Sequence, residues 1–306
     1  MNKPALPIHR HRQEHMATFF ELRLAHENAA YARQAAQAAF QITARLEKRL
    51  SRHRQDSEIT QIRFLSANEP LRLSADTFHC LRLAVRIQQI TGGAFDPVLG
   101  AEMDVWRAGR QPGNELRRQD RGRLLMDPEN LTVRATGGPV ALDLGAIGKG
   151  FALDRMAEEL QAWDITRSLL VAGGSSILAL DAPEPGSAGW EVSLTATKKL
   201  FLRQSAIGAS GTSVKGAHIL DPRTGQPAPG PYRAWALHSS AAIADALSTA
   251  WMLLGPDEIE RVCRELPGAR AFLQRSEKET GDLAGFGPYA GPPPAAQPKS
   301  SHGHNL

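Results

Sequence analysis

The stretch Ala141-Leu142-Asp143-Leu144-Gly145-Ala146-Ile147-Gly148-Lys149-Gly150-Phe151 places one carboxylate, one lysine and three glycines where a strand gives way to a helix. Val140, Leu142 and Leu144 alternate with other residues as in a strand, and Phe151-Ala-Leu-Asp-Arg-Met-Ala-Glu-Glu-Leu160 has the apolar spacing of an amphipathic helix. Gly148-Lys149-Gly150 therefore falls at a helix N-terminus. Free N–H groups and the positive end of the helix dipole attract phosphate there, glycine permits close approach, and lysine adds a point charge. The same residues also suit a plain glycine-rich turn with a solvated lysine, since neither the dinucleotide fingerprint nor the P-loop pattern is present. A Rossmann fold is disfavoured, because the glycines lie mid-chain without that fingerprint.

Three further runs hold more chemistry than local structure alone requires. Ala217-His218-Ile219-Leu220-Asp221-Pro222-Arg223-Thr224-Gly225-Gln226-Pro227 crowds a histidine, an aspartate, an arginine and a threonine around turn-forming prolines and a glycine. A plain turn needs only the prolines and the glycine. Ala244-Asp245-Ala246-Leu247-Ser248-Thr249-Ala250-Trp251 reads as helix, with serines before it and Gly255-Pro256 closing it. Asp245 and Thr249 share one helical face, and such a pair of hard oxygen ligands suits Mg²⁺, which keeps waters and substrate phosphates in its other positions. A carboxylate near a helix N-terminus for dipole reasons explains Asp245 equally simply. Thr91-Gly92-Gly93-Ala94-Phe95-Asp96-Pro97-Val98-Leu99-Gly100 ends a helix that starts near Ser74; its Thr-Gly-Gly stop and Asp-Pro turn have a purely structural explanation.

Taken together and in this order, the four runs resemble the ApbE-type FAD:protein FMN transferases. That family is marked by a Gly-Ala-Phe-Asp-Pro turn, an Asp-Leu-Gly segment leading to Lys-Gly, a His-Ile segment leading to Asp-Pro and Thr-Gly, and an Ala-Asp-Ala helix with a following threonine. Met16-Ala17-Thr18 resembles the family's early Met-Gly-Thr strand, and Leu50-Ser51 with Asp56-Ser57-Glu58-Ile59 resembles its serine and Ser-Glu segment. The resemblance covers the chain from about Met16 to about Leu273.

What the resemblance implies is a metal-dependent enzyme that splits FAD, attaches FMN through a phosphoester to a threonine or serine of a partner flavoprotein, and releases AMP. Carried over to this chain, Asp245 and Thr249 are side-chain ligands of Mg²⁺, and the carbonyl of Ala146 is a further ligand. Met16, Ala94, Phe95, Asp96, Asp143, Lys149, His218 and Ile219 contact FAD. His218 and Lys149 are the catalytic candidates, with His218 handling the proton of the attacking hydroxyl. The chain departs from the family at His53, where an aromatic is usual, and at Arg63, which replaces asparagine. A Gly-Gly-Asp turn has become Gly173-Gly174-Ser175-Ser176, the Ser210-Gly211-Thr212-Ser213 region is shortened, and a second histidine is Ala217. Two other readings stay open: an FAD-binding or delivery protein without transfer, and a Mg²⁺-dependent FAD pyrophosphatase with water as acceptor.

The mix of long helices and antiparallel-looking strands argues α+β, and the resemblance implies a single ApbE-like domain with a T-fold-type core of antiparallel strands and helices. At 306 residues and 42% hydrophobic content the chain suits one large domain or two small ones, and candidate residues drawn from 16 through 249 favour one. The expected divisions are a basic N-terminal extension over 1–15, a flavin transferase domain over 16–285, and a disordered glycine- and proline-rich tail over 286–306. The net charge of +4 suits an anionic ligand. Basic residues such as Arg45, Lys48, Arg49, Arg52 and Arg54 are dispersed and explained by a solvated helix face, so no nucleic acid is expected as a partner. Cys80 and Cys263 have no metal-type spacing and are expected as buried free thiols. No signal-peptide pattern, lipobox cysteine or membrane-spanning apolar run is seen, so the expected location is cytoplasmic. Strands are expected at Ala17–Leu24, Leu71–Leu73, Ser168–Leu180, Trp190–Thr197 and Leu200–Ile207. Helices are expected at Asn28–His53 and Ser74–Thr91, and a surface excursion at Arg107–Arg123.

Overall fold

Met16 (φ 52°) and Ala17 (φ 55°), both in left-handed geometry, turn the chain between its first two strands, β1 (Ile8–His15) and β2 (Thr18–Ala25). The structure is a computed structural model and describes residues 5–109, 121–212, 219–228, 230–277 and 283–288. Helix α1 (Ala29–Leu50) starts where the Asn28 side chain accepts from the Tyr31 amide, and it ends with Lys48 and Arg49 at its negative pole. Next come α2 (Glu58–Arg63), β3 (Leu71–Arg72), the Ser74-capped α3 (Ala75–Ile90) and α4 (Gly100–Arg107). The hairpin of β4 (Arg123–Asp127) and β5 (Thr132–Thr136) leads to α5 (Gly148–Ala162) and to the hairpin of β6 (Ser168–Ala172) and β7 (Ser176–Ala179). The chain continues through β8 (Trp190–Ser193), β9 (Lys199–Leu202), β10 (Ser205–Gly211), β11 (Arg233–His238), α6 (Ala241–Trp251), α7 (Pro256–Glu265), β12 (Arg270–Gln274) and β13 (Ala284–Phe286).

The frame is an eight-stranded antiparallel sheet in the order β1-β2-β6-β7-β10-β11-β12-β13. Its central strands are buried on both faces, and the period of two sorts their residues. Leu170, Leu178, Ala206, Ala234, Ala236, Ala271 and Leu273 join the large core beneath α1, α3, α5 and α6. Leu169, Ala179, Ile207, Trp235, Leu237 and Phe272 point the other way, into a second core closed by Trp190, Val192, Leu200 and Leu202 of the β8–β9 hairpin. On β10 and β11 the helix-side residues Ala206, Gly208, Ala234 and Ala236 are small because α6 lies close to the sheet there. A Cβ on Gly208 would stand 2.3 Å from the Ala244 carbonyl oxygen, and one on Gly150 would stand 2.1 Å from the Ala241 carbonyl oxygen.

The α+β class with antiparallel strands agrees with the sequence reading, and so do the helices starting at Asn28 and Ser74. Several local expectations need correction. Residues 8–15, set outside the domain by the sequence, form the edge strand β1; its run Ile-His-Arg-His-Arg-Gln-Glu-His has no hydrophobic alternation to announce it, as suits a strand at an exposed edge. Leu200–Ile207 is two strands in two sheets. Leu200, Leu202 and Ile207 all face the second core, a change of parity that the chain absorbs at Gln204 (φ 47°). Val140–Leu144 is extended without joining a sheet, its bonds going to the 97–100 turn: the Asp143 amide donates to the Pro97 carbonyl at 2.8 Å, and Gly100 donates to Ala141 at 2.9 Å. Cys80 and Cys263 are buried free thiols, and burial pushes each up to about 12. No helix among the described residues is long and apolar enough to cross a membrane. The glycine- and proline-rich tail lies outside the described residues from 289 onward, as does most of the expected excursion, 110–120.

Candidate active site

Helix α5 begins at Gly148, and its N-cap, Ile147, has no side chain able to satisfy the first amides. The carboxylate of Asp245 on α6 takes that role from across the helix pair. Gly150 N donates to Asp245 Oδ2 at 3.1 Å and Lys149 Nζ donates to the same oxygen at 3.2 Å, while Ser176 Oγ donates to Oδ1 at 2.7 Å. Asp245 is 3% exposed, so its charge is balanced locally by the ammonium and by the positive pole of α5. The arrangement is reciprocal. Asp154 of α5 caps α6, accepting from Ser240 Oγ at 2.6 Å, Ala241 N at 2.7 Å and Ala242 N at 3.0 Å. Burial raises the Asp154 carboxyl above its ordinary value, against the opposing pull of these donors.

One turn along α6, Thr249 Oγ1 lies 3.2 Å from Ser210 Oγ, which is also 2.9 Å from Ser248 Oγ. Ala146 is half-buried in the turn that leads into α5, where the amides of Ile147 and Gly148 both donate to the Leu144 carbonyl. Among the described residues no three His, Cys, Asp or Glu side chains cluster as a metal cage. The donors gathered here are one carboxylate with hydroxyl and carbonyl oxygens, a hard set. Asp245 Oδ1 has one lone pair engaged by Ser176 and a second to offer. That composition fits Mg²⁺, which needs few protein ligands when substrate phosphates supply the others.

Asp143 carries two guanidinium groups: Arg52 Nη1 donates to its Oδ2 at 2.8 Å, and Arg107 Nη2 lies 2.9 Å from the same oxygen. Its Oδ1 accepts from Gly145 N at 2.8 Å, which fixes the turn before α5. Asp96 is committed as well, accepting from Gln88 Nε2 at 2.6 Å and Val98 N at 2.9 Å on Oδ1, and from Arg121 Nη1 at 2.9 Å on Oδ2. Ala94 and Phe95 are buried behind it. Met16 turns between β1 and β2, with its amide donating to Glu47 Oε1 at 2.7 Å. Ile219 is buried, its carbonyl accepting from Ala228 N, and Leu220 bridges to Pro227 to close a short loop around Asp221 and Arg223. His218 lies outside the described residues.

The four runs thus meet through hydrogen bonds and not only in sequence order. Asp245 joins α6 to the Gly148-Lys149-Gly150 start, and the Asp143 amide joins that run to Pro97 of the 94–100 turn. Arg223 Nη2 donates to the Leu253 carbonyl just past α6 at 2.8 Å. Residues 16–273 match the model of the ApbE family.

The chain belongs to the ApbE family. The FAD:protein FMN transferase of Treponema pallidum (strain Nichols) is 27% identical to it over 295 residues, covering 84% of this chain and 82% of that protein. The FAD:protein FMN transferase of Chlamydia muridarum (strain MoPn / Nigg) is 31% identical over 216 residues, covering 63% and 67%. The crystal structure of the ApbE protein from Thermotoga maritima MSB8 superposes with a TM-score of 0.75 at 25% identity, covering 89% of this chain and 97% of that one.

Within the ApbE frame, several residues around the motifs escaped sequence reasoning. Ser176 is the first residue of β7, separated by Ser175 from a glycine pair with φ 59° and 71°, and the tight turn brings its hydroxyl onto Asp245. Its only sequence signal is a serine opening a strand that is otherwise apolar. Ser210 stands in the shortened region and still reaches Thr249. Arg52 looked like one charge among many on a solvated face, yet its side chain is 11% exposed. Arg121 lies in the polar segment expected to be a surface excursion, and its side chain is 10% exposed between two carboxylates.

Proposed function

We propose that this protein is an FAD:protein FMN transferase that moves FMN from FAD to a threonine or serine hydroxyl of a partner flavoprotein, with Mg²⁺ as cofactor and AMP as the released product. The observation that carries the reading is the junction of Lys149, Gly150 and Asp245, where a cation, a helix N-terminus and a buried carboxylate meet beside the hydroxyls of Ser210 and Thr249. Transfer of a phosphoryl-linked group needs the diphosphate held in line with the attacking hydroxyl, and it needs negative charge offset on the equatorial and leaving oxygens. Asp245, Thr249 and the Ala146 carbonyl would hold Mg²⁺, which when bound supplies Lewis acidity and charge to those oxygens. Lys149 adds a fixed positive charge at the start of α5, aimed at the same diphosphate. Ser176 and the Gly150 amide hold the Asp245 carboxylate in one orientation. Arg52 and Arg107 keep Asp143 in place at the Gly145 turn, next to the sequence-assigned FAD contacts. His218 accepts the proton of the acceptor hydroxyl, a role that rests on its place in the His-Ile motif.

The test is to incubate the protein with FAD and Mg²⁺, with and without an acceptor flavoprotein, and to follow where the FMN goes. FMN bound covalently to the acceptor is the expected result. Free FMN and AMP at the same rate with or without acceptor would identify a pyrophosphatase, and FAD bound but uncleaved would identify a flavin-binding protein.

A further inference from the structure

We propose that Arg121 is a positioning residue that holds the Ala94–Asp96 turn and the Ile219–Pro227 loop at a fixed separation, so that both meet FAD. The inference rests on the transferase reading, because the roles of those two segments come from it. The guanidinium makes three bonds in three directions. Nε donates to Glu102 of α4, Nη1 donates to Asp96 Oδ2 at 2.9 Å, and Nη2 donates to the Pro222 carbonyl at 3.1 Å. Two of the four motif segments are therefore joined through a side chain that belongs to neither. The pair is dry: the side chains of Asp96 and Glu102 are 3% and 2% exposed, and that of Arg121 is 10% exposed. In such surroundings charge-assisted bonds are strong, and the planar fork fixes direction as well as distance. A lysine keeps the charge, but as a single rotating ammonium it cannot span a carboxylate on each side and a carbonyl beyond them. Because Asp96 already receives Gln88, Val98 and Arg121, its part at the site is to shape the turn, and Arg121 extends that shape to Pro222.

The experiment measures FAD affinity and Mn²⁺ affinity separately in wild type, Arg121→Lys and Arg121→Ala, each first checked for folding by thermal denaturation. Loss of the three-way link should weaken FAD binding by about tenfold or more in both variants. Mn²⁺ bound at Asp245 and Thr249 should be unchanged, because α6 is held by Asp154 and not by Arg121. Methylguanidinium added to folded Arg121→Ala should restore FAD binding, and methylammonium should not. Arg121→Lys retains the buried charge, so it is the variant to judge if Arg121→Ala does not fold. FAD affinity equal to wild type in Arg121→Lys overturns the inference, as does a parallel loss of FAD and Mn²⁺ binding, which marks a general structural role. Absence of FAD binding by the wild type would instead overturn the transferase reading itself.

Discussion

Asp245 Oδ2 receives both Lys149 and the amide of Gly150, so one carboxylate serves as helix cap, ion-pair partner and metal-ligand candidate. Replacing it with alanine should abolish Mg²⁺-dependent FAD turnover, and it should lower stability by at least about 1–3 kcal/mol, the cost of a buried donor left without its acceptor; activity assays with circular dichroism and urea unfolding of the same sample check both parts. Thr249→Val removes a neutral oxygen and keeps the shape, so its effect on metal affinity should be the smaller of the two. Ser176→Ala deletes the 2.7 Å donor to a buried carboxylate, and should cost about 1–3 kcal/mol in urea unfolding. The spacing of Asp245 and Thr249 was legible because a helix puts residues four apart on one face. Ser176 was not, since its partner is 69 residues away in sequence and only the sheet brings them together. Arg121 was illegible for the same reason, its carbonyl acceptor lying 101 residues downstream.

At the scale of elements, α5 and α6 are locked by exchanged caps and by a glycine at their crossing. Gly150→Ala would place a Cβ 2.1 Å from the Ala241 carbonyl oxygen, so the helices must part; overpacking of this kind costs about 1–3 kcal/mol, visible as a lower denaturation midpoint. Asp154 brings a pH dependence. Burial raises its value in the folded protein, so the folded state holds the proton more tightly than the unfolded chain does. The stability this contributes is present below the unfolded value and is lost as pH rises through the folded one. Across that acid range wild type should lose stability relative to Asp154→Asn, which cannot ionise; denaturant titrations at stepped pH check the sign. Helices α1 and α3 were legible as the expected Asn28–His53 and Ser74–Thr91 segments, while the break at Gln204 was hidden because Leu200–Ile207 holds no glycine or proline to mark it. Strand β1 was hidden by its polar edge composition.

At the scale of the whole molecule, an eight-stranded sheet whose central strands are buried on both faces fixes β7, β10 and α6 relative to one another, and the candidate site lies where the start of α5 meets them. Antiparallel class was legible from the mix of long helices and strands, and single-domain organisation from the spread of candidate residues over 16–249, whereas strand order depended on pairings that no local pattern encodes. In the proposed transferase reading, this scaffold directs FMN onto a protein hydroxyl through the Asp245 centre. The most direct test of that reading is peptide mass spectrometry of an acceptor flavoprotein after incubation with FAD, Mg²⁺ and either wild type or Asp245→Ala. FMN in phosphoester linkage on one threonine or serine is expected with wild type and none with the variant. Equal labelling by both proteins, or wild-type cleavage of FAD with an unlabelled acceptor, would contradict it.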